Sequence, residues 1–236
     1  MTTHGLAIPS PSRNTSTTPR SGGRGIGRTA LIACGMLASL LYAAMNVFIP
    51  MRWTEYSSAS QTISELSAVG APTRTLWVVW GVVYGVLVAA FGWGIWTSAR
   101  GYRTLRVAGA LLVAMGVFSL CWPPMHLRGA PFTLTDAMHI VWAVVTLLLM
   151  LGVMGFAAAA FGRRFRLYTI ATGVVFLVFG ALTGVDAPRI AANLPTPLIG
   201  VWERINVAAY MLWVVVLAIA VLREGVHPLD AAGTSG

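Results

Sequence analysis

Apolar residues along this chain collect into long runs, and polar residues collect between them. Six runs of about 20 predominantly apolar residues stand out, the length a helix needs to cross a hydrocarbon core roughly 30 Å thick. They cover Thr29 to Ile49, Leu76 to Ser98, Thr104 to Trp122, Ala137 to Phe161, Leu167 to Val185 and Ile205 to Leu222. Backbone amides in hydrocarbon must find partners within the protein, so each run is a helix or a strand of a closed barrel. Barrel strands alternate apolar and polar positions, whereas Trp142 to Met154 is apolar on every face. The pattern therefore predicts an all-α, polytopic membrane protein with six transmembrane helices in one bundle. Glycines four residues apart, Gly81 with Gly85 and Gly180 with Gly184, are the expected places of close helix approach.

Composition agrees with a membrane solvent. The chain is 57% hydrophobic and 10% charged, with a mean hydropathy of +0.75, outside the range of soluble domains. Charge adds orientation, because all 16 basic residues are arginine. Eleven fall on one side: Arg13, Arg20, Arg24, Arg28, Arg100, Arg103, Arg106, Arg163, Arg164, Arg166 and Arg223. Five fall on the other: Arg52, Arg74, Arg128, Arg189 and Arg204, matched there by Glu55, Glu65, Asp136, Asp186 and Glu203. The positive-inside rule then predicts an N-in/C-in, multi-pass protein of the cell (plasma) membrane, with both termini cytoplasmic. Membrane lipids are the expected partners, with anionic headgroups on the cytoplasmic side, and nucleic acid is not.

Residues 1–27, rich in Ser, Thr, Pro, Gly and Arg, have too little apolar content to order themselves and are expected to be a disordered cytoplasmic tail. Residues 28–224 form the transmembrane domain, and 225–236 a short flexible cytoplasmic tail. The first run follows basic residues as a secretory signal would, but its length makes it a retained anchor. Cys34 and Cys121 fall near opposite ends of their spans, too far apart in depth for a disulfide.

The inner connections are short, and the outer ones hold nearly all the chemically useful side chains. The first outer loop contains Gln61-Thr62-Ile63-Ser64-Glu65-Leu66-Ser67 and then Gly70-Ala71-Pro72; the second contains Pro123-Pro124-Met125-His126 and Asp136-Ala137-Met138-His139 at its boundary with the fourth span. The third contains Asp186-Ala187-Pro188-Arg189 and ends in Trp202-Glu203-Arg204-Ile205. This order of motifs resembles the bacterial and archaeal membrane family known as domain of unknown function 998, over about residues 28 to 224. The resemblance implies a six-helix membrane domain without an assigned activity.

The outer polar residues Ser64, Glu65, His126, Asp136, His139, Asp186, Arg189, Glu203 and Arg204 are the candidate site. Asp136 follows Thr133, and Glu65 follows Thr62, by the three residues of a capping box, which would make both carboxylates structural. Asp136 and His139 also share one helical face, where the carboxylate could orient the imidazole. Two readings follow. In the first, Glu203 with Arg204, Asp186 with Arg189 and Glu65 with Arg74 pair to hold the outer loops around a lipid or small-molecule site, or serve a purely structural role, and no cofactor is expected. In the second, His126 and His139 hold zinc, with Asp136, Glu65, Asp186 or Glu203 completing the shell, and the zinc activates water against a lipid ester or amide, with His139 and Asp136 as the catalytic candidates. That arrangement is similar to the CREST superfamily of membrane hydrolases in placing Ser, Asp and His near one membrane face, and departs from it in having two outer histidines and six spans.

Overall fold

The structure, a computed structural model, describes residues 22–224. Of the two expected tails, residues 1–21 and 225–236 lie outside the described residues, whereas 22–27 open the first helix. Six helices follow one another: α1 (Gly22–Phe48), α2 (Arg74–Ser98), α3 (Arg103–Ser119), α4 (Leu134–Ala160), α5 (Arg163–Ala191) and α6 (Ile199–Glu224). Among the described residues there is no strand, only an isolated bridge between Val69 and His126. Five of the helices are long and apolar enough to cross a membrane. The exception is α3, whose 17 residues span about 26 Å at the helical rise. The chain is an all-helical membrane protein with several spans.

Helices α5 and α6 are longer than their apolar runs. The third outer loop shrinks to 192–198, and both Asp186-Ala187-Pro188-Arg189 and Trp202-Glu203-Arg204-Ile205 lie on helices rather than in it. Proline does not stop α5, because Pro188 sits within its last turn. The stop comes at Asn193, whose φ of 52° is the left-handed conformation asparagine tolerates. Asn193 N–H donates to Ile190 O and Leu194 N–H to Arg189 O, the pair of bonds of a Schellman end.

The long segments 49–73, 120–133 and 192–198 lie at one end of the bundle, called here the loop end. At the other end, turns 99–102 and 161–162 reverse the chain at once. There Arg28 ties three helices, its Nε donating to Ser98 Oγ at 2.8 Å and its NH2 to Val221 O at 3.2 Å.

The closest approach in the bundle is between α2 and α3. A Cβ on Gly109 would stand 2.6 Å from Trp96 N and 2.8 Å from Gly92 O, and one on Gly116 2.6 Å from both Ala89 N and Gly85 O. Gly85 with Gly92, and Gly109 with Gly116, are seven residues apart, the repeat that keeps one seam facing its partner in an antiparallel pair. Of the four-residue glycine pairs expected from sequence, Gly85 alone joins this seam. Gly81 and Gly184 would meet nothing within 4 Å, and Gly180 faces the Asn206 side chain. Around the bundle, α1 packs on α2, α2 on α3, α3 on α4, α1 on α6 and α5 on α6, while α4 and α5 barely touch. The ring of helices is thus open between α4 and α5. Its core holds Phe91, Phe176, Tyr210 and Trp213, and Trp213 Nε1 donates to Thr169 Oγ1 at 2.9 Å.

Candidate functional site

The site at the loop end starts from a 3-10 turn, Ile63–Ser67. Thr62 caps it, and Glu65 returns the favour, accepting the Thr62 N–H at 2.7 Å and its hydroxyl at 3.0 Å. The Glu65 carboxylate is wholly buried, and its partner is Arg128, Nε to Oε1 at 2.6 Å and NH2 to Oε2 at 3.1 Å. Arg74, the partner expected from sequence, instead donates to Ser67 O at 2.9 Å. Thr73, just before α2, donates its hydroxyl to Leu66 O, so its side chain does not cap that helix.

Asp136 opens α4 and collects four donors: Thr133 N–H at 2.8 Å, Thr133 Oγ1 at 2.7 Å, His126 N–H at 2.7 Å and His126 Nδ1 at 3.0 Å. It therefore fastens the 120–133 loop to α4, and its oxygens have little left for a metal. His139 Nδ1 lies 2.8 Å from Pro123 O and 3.1 Å from Trp122 Nε1. One nitrogen cannot both donate to Pro123 O and accept the Trp122 indole N–H, so the tautomer of His139 selects one of these two bonds.

Glu203 and Arg204 diverge rather than pair. Arg204 NH1 donates to Ser58 O at 2.8 Å and its NH2 to Tyr56 Oη at 2.7 Å, which pins the first loop over α6. Burial pushes the Tyr56 phenol up to about 12, so at neutral pH it keeps its proton and donates to Thr62 O. Glu203 accepts the Ile63 N–H through Oε2, and Oε1 takes no hydrogen bond from any described residue. Asp186 and Arg189 stand apart at the end of α5: Arg189 donates to Pro195 O, not to Asp186. Among the described residues the side-chain ion pairs are His126–Asp136 and Arg128–Glu65 alone. Of the residues expected from sequence, Ser64, Glu65, His126, Asp136, His139, Glu203 and Arg204 share the loop end, joined by the Val69 N–H bond to Met125 O.

Two cavities meet beneath this network. One, of about 310 Å³, lies inside the bundle under the 3-10 turn, with Tyr42, Arg74, Trp77, Tyr84 and Thr146 on its wall. The other, of about 370 Å³, occupies the opening between α4 and α5 and reaches His126, Asp136 and His139. Ser64, Glu203 and Asn206 line both. The second cavity exists because α5 turns Gly180, Gly184, Ala187 and Ala191 toward α4, and small side chains leave that volume unfilled. Sequence reading did not single out Arg128, Asn206 or the wall of the inner cavity. Only a hydroxyl-bearing Tyr42, Tyr84 or Thr146 within an apolar run could have signalled it.

No group of three or more His, Cys, Asp or Glu side chains among the described residues comes together to hold a metal ion, and both cysteines are free. Residues 36–220 match the family model described as "Protein of unknown function (DUF998)". No curated protein and no solved structure matches the chain.

Proposed function

Because the chain belongs to this family of unknown function, which brings no activity with it, we propose on the site itself that it is a membrane protein that binds an amphiphile at its loop end. The apolar tail enters through the opening between α4 and α5, and the polar head reaches the junction of the two cavities. The observation that carries this is the junction at Ser64, Glu203 and Asn206, where apolar volume open to the bilayer ends on polar groups. Each cavity is within the size range of small-molecule sites, about 300 to 1,000 Å³, with apolar walls and a few convergent polar groups. Ile140, Val144 and Leu147 of α4 form one wall of the opening, suited to acyl chains and poorly suited to a water-soluble ligand.

Gly184 tests this, because a side chain there meets open space and fills the cleft without moving backbone. A phospholipid with a fluorescent acyl chain should bind the purified protein saturably, and Gly184→Trp should weaken it at least about tenfold, ~1.4 kcal/mol. Gly155→Trp, also facing open space but away from both cavities, should bind as the natural protein does. Equal effects of the two tryptophans, or no saturable binding at all, would sink the proposal.

The same reading places all six helices across the plasma membrane as one domain over 28–224, with both termini cytoplasmic and the loop end outside. The eleven-to-five arginine split supports this orientation. For α3 the support is its seam with α2, which runs from Gly109 to Gly116 and holds it alongside a helix of spanning length. A reporter active only in the cytoplasm should work when fused after Arg223 and fail when inserted near Ala130. The reverse pattern would overturn the orientation.

A further inference from the structure

The two charged side chains on the wall of the inner cavity are left partly unspent. Glu65, Asp136 and Arg128 are consumed by the contacts above, and Arg204 by the first loop. Glu203 retains Oε1, and Arg74 retains all its donors but the one on Ser67 O. Both line the inner cavity, yet they do not form an ion pair. Both are half-buried and face the cavity without a partner of opposite charge, so each can take a counter-charge from a ligand there, and the two call for opposite ones.

The surroundings sort them further. Arg74 is the first residue of α2, a helix with no acidic residue in its first turn and no side-chain cap. The Arg74 N–H is taken by Ala71 O, but the macrodipole of the helix still adds to the positive potential there, a setting for phosphate. Around the cavity stand Tyr42, Trp77 and Tyr84, with Tyr42 ring to Trp77 ring at 5.9 Å and to Tyr84 ring at 5.0 Å. Aromatic faces with a carboxylate suit an ammonium group. Thr146 Oγ1, on the same wall, is buried without a hydrogen-bond partner, a polar group with no use inside the protein. We infer that the amphiphile has a zwitterionic headgroup, its phosphate on Arg74 and its ammonium on Glu203. The inference rests on the amphiphile reading above.

Three lipids with identical chains separate the two: phosphatidylethanolamine, phosphatidylglycerol and uncharged diacylglycerol, each titrated against the full chain in detergent and read by native mass spectrometry. The natural protein should prefer phosphatidylethanolamine by about tenfold. Glu203→Gln should lose that preference over phosphatidylglycerol while binding diacylglycerol as before, and Glu203→Asp should keep it. Arg74→Gln should lose both phospholipids and keep diacylglycerol. Binding of all three lipids alike by the natural protein overturns the headgroup inference and leaves the amphiphile reading standing, and binding of none overturns both. If Glu203→Asp fails as Glu203→Gln does, the carboxylate serves only the Ile63 N–H and the inference falls. Soluble glycerophosphoethanolamine should compete at least about tenfold more weakly than the lipid. Equal competition would make the ligand a free zwitterion and overturn the amphiphile reading.

Discussion

Arg128→Met is expected to destabilise the fold by about 3–5 kcal/mol, the cost of stripping one partner from a buried pair. Glu65 has no exposure and Arg128 little, 0% and 19% of their side chains, so water cannot take the place of the guanidinium. The loss spreads beyond one contact. Arg128 NH2 also donates to Ser60 O at 2.9 Å, as does the Thr196 hydroxyl, so the arginine holds the first loop to the second at the carbonyl where the third loop also attaches. The single change leaves Glu65 to the Thr62 amide and hydroxyl and a long contact from Gln61 Nε2 at 3.4 Å, none of them charged, in a place with no access to solvent. The double variant Glu65→Gln with Arg128→Met removes both charges and should recover more than half of the loss. Equilibrium unfolding in detergent measures the cycle. A single-variant cost under about 1 kcal/mol, the value of an exposed pair, would show that the loops are held by other means.

Gly116→Ala is the second large effect. One methyl at that position meets two backbone atoms at 2.6 Å, Ala89 N and Gly85 O, and backbone within a packed helix cannot swing aside as a side chain can. The expected cost is about 1–3 kcal/mol, the range for overpacking. Gly109→Ala should behave alike, its neighbours being Trp96 N and Gly92 O. Gly155→Ala is the control: the same chemistry in α4, with nothing within 4 Å, should be neutral or gain up to about 1 kcal/mol from restricting the unfolded chain. Thermal unfolding of the three variants side by side checks this. If Gly116→Ala and Gly155→Ala melt together, the α2–α3 seam is not the close contact described.

Much of the architecture was legible because its causes are local or compositional. Hydrocarbon leaves an apolar run of about 20 residues little choice but a helix, so each apolar run lies on a helix. Capping boxes are also local, an acceptor and a donor three residues apart, so the reciprocal Glu65–Thr62 and Asp136–Thr133 bonds follow from spacing. Hydropathy misplaced the end of α5, because Asp186 and Arg189 read as loop while only a left-handed Asn193 closes the helix. It also favoured glycine pairs one turn apart. Which glycines meet depends on how two helices cross, and that set the seven-residue seam.

Hydropathy and loop composition alone dictate a hydrocarbon solvent, the helices that solvent requires and the end of the bundle where polar chemistry gathers. Charge partners were decided by the tertiary structure. Nearest in sequence was the expectation, Glu65 with Arg74, Glu203 with Arg204 and Asp186 with Arg189, yet Glu65 found Arg128 sixty-three positions away and the other two pairs did not form. An ion pair depends on where two side chains end in space, and helices packed side by side bring remote residues closer than neighbours whose side chains point apart. The cavities are likewise tertiary, since each is the volume left where small residues of one helix face another. Only the packing of six helices reveals that Glu203 and Arg74 look into the same space.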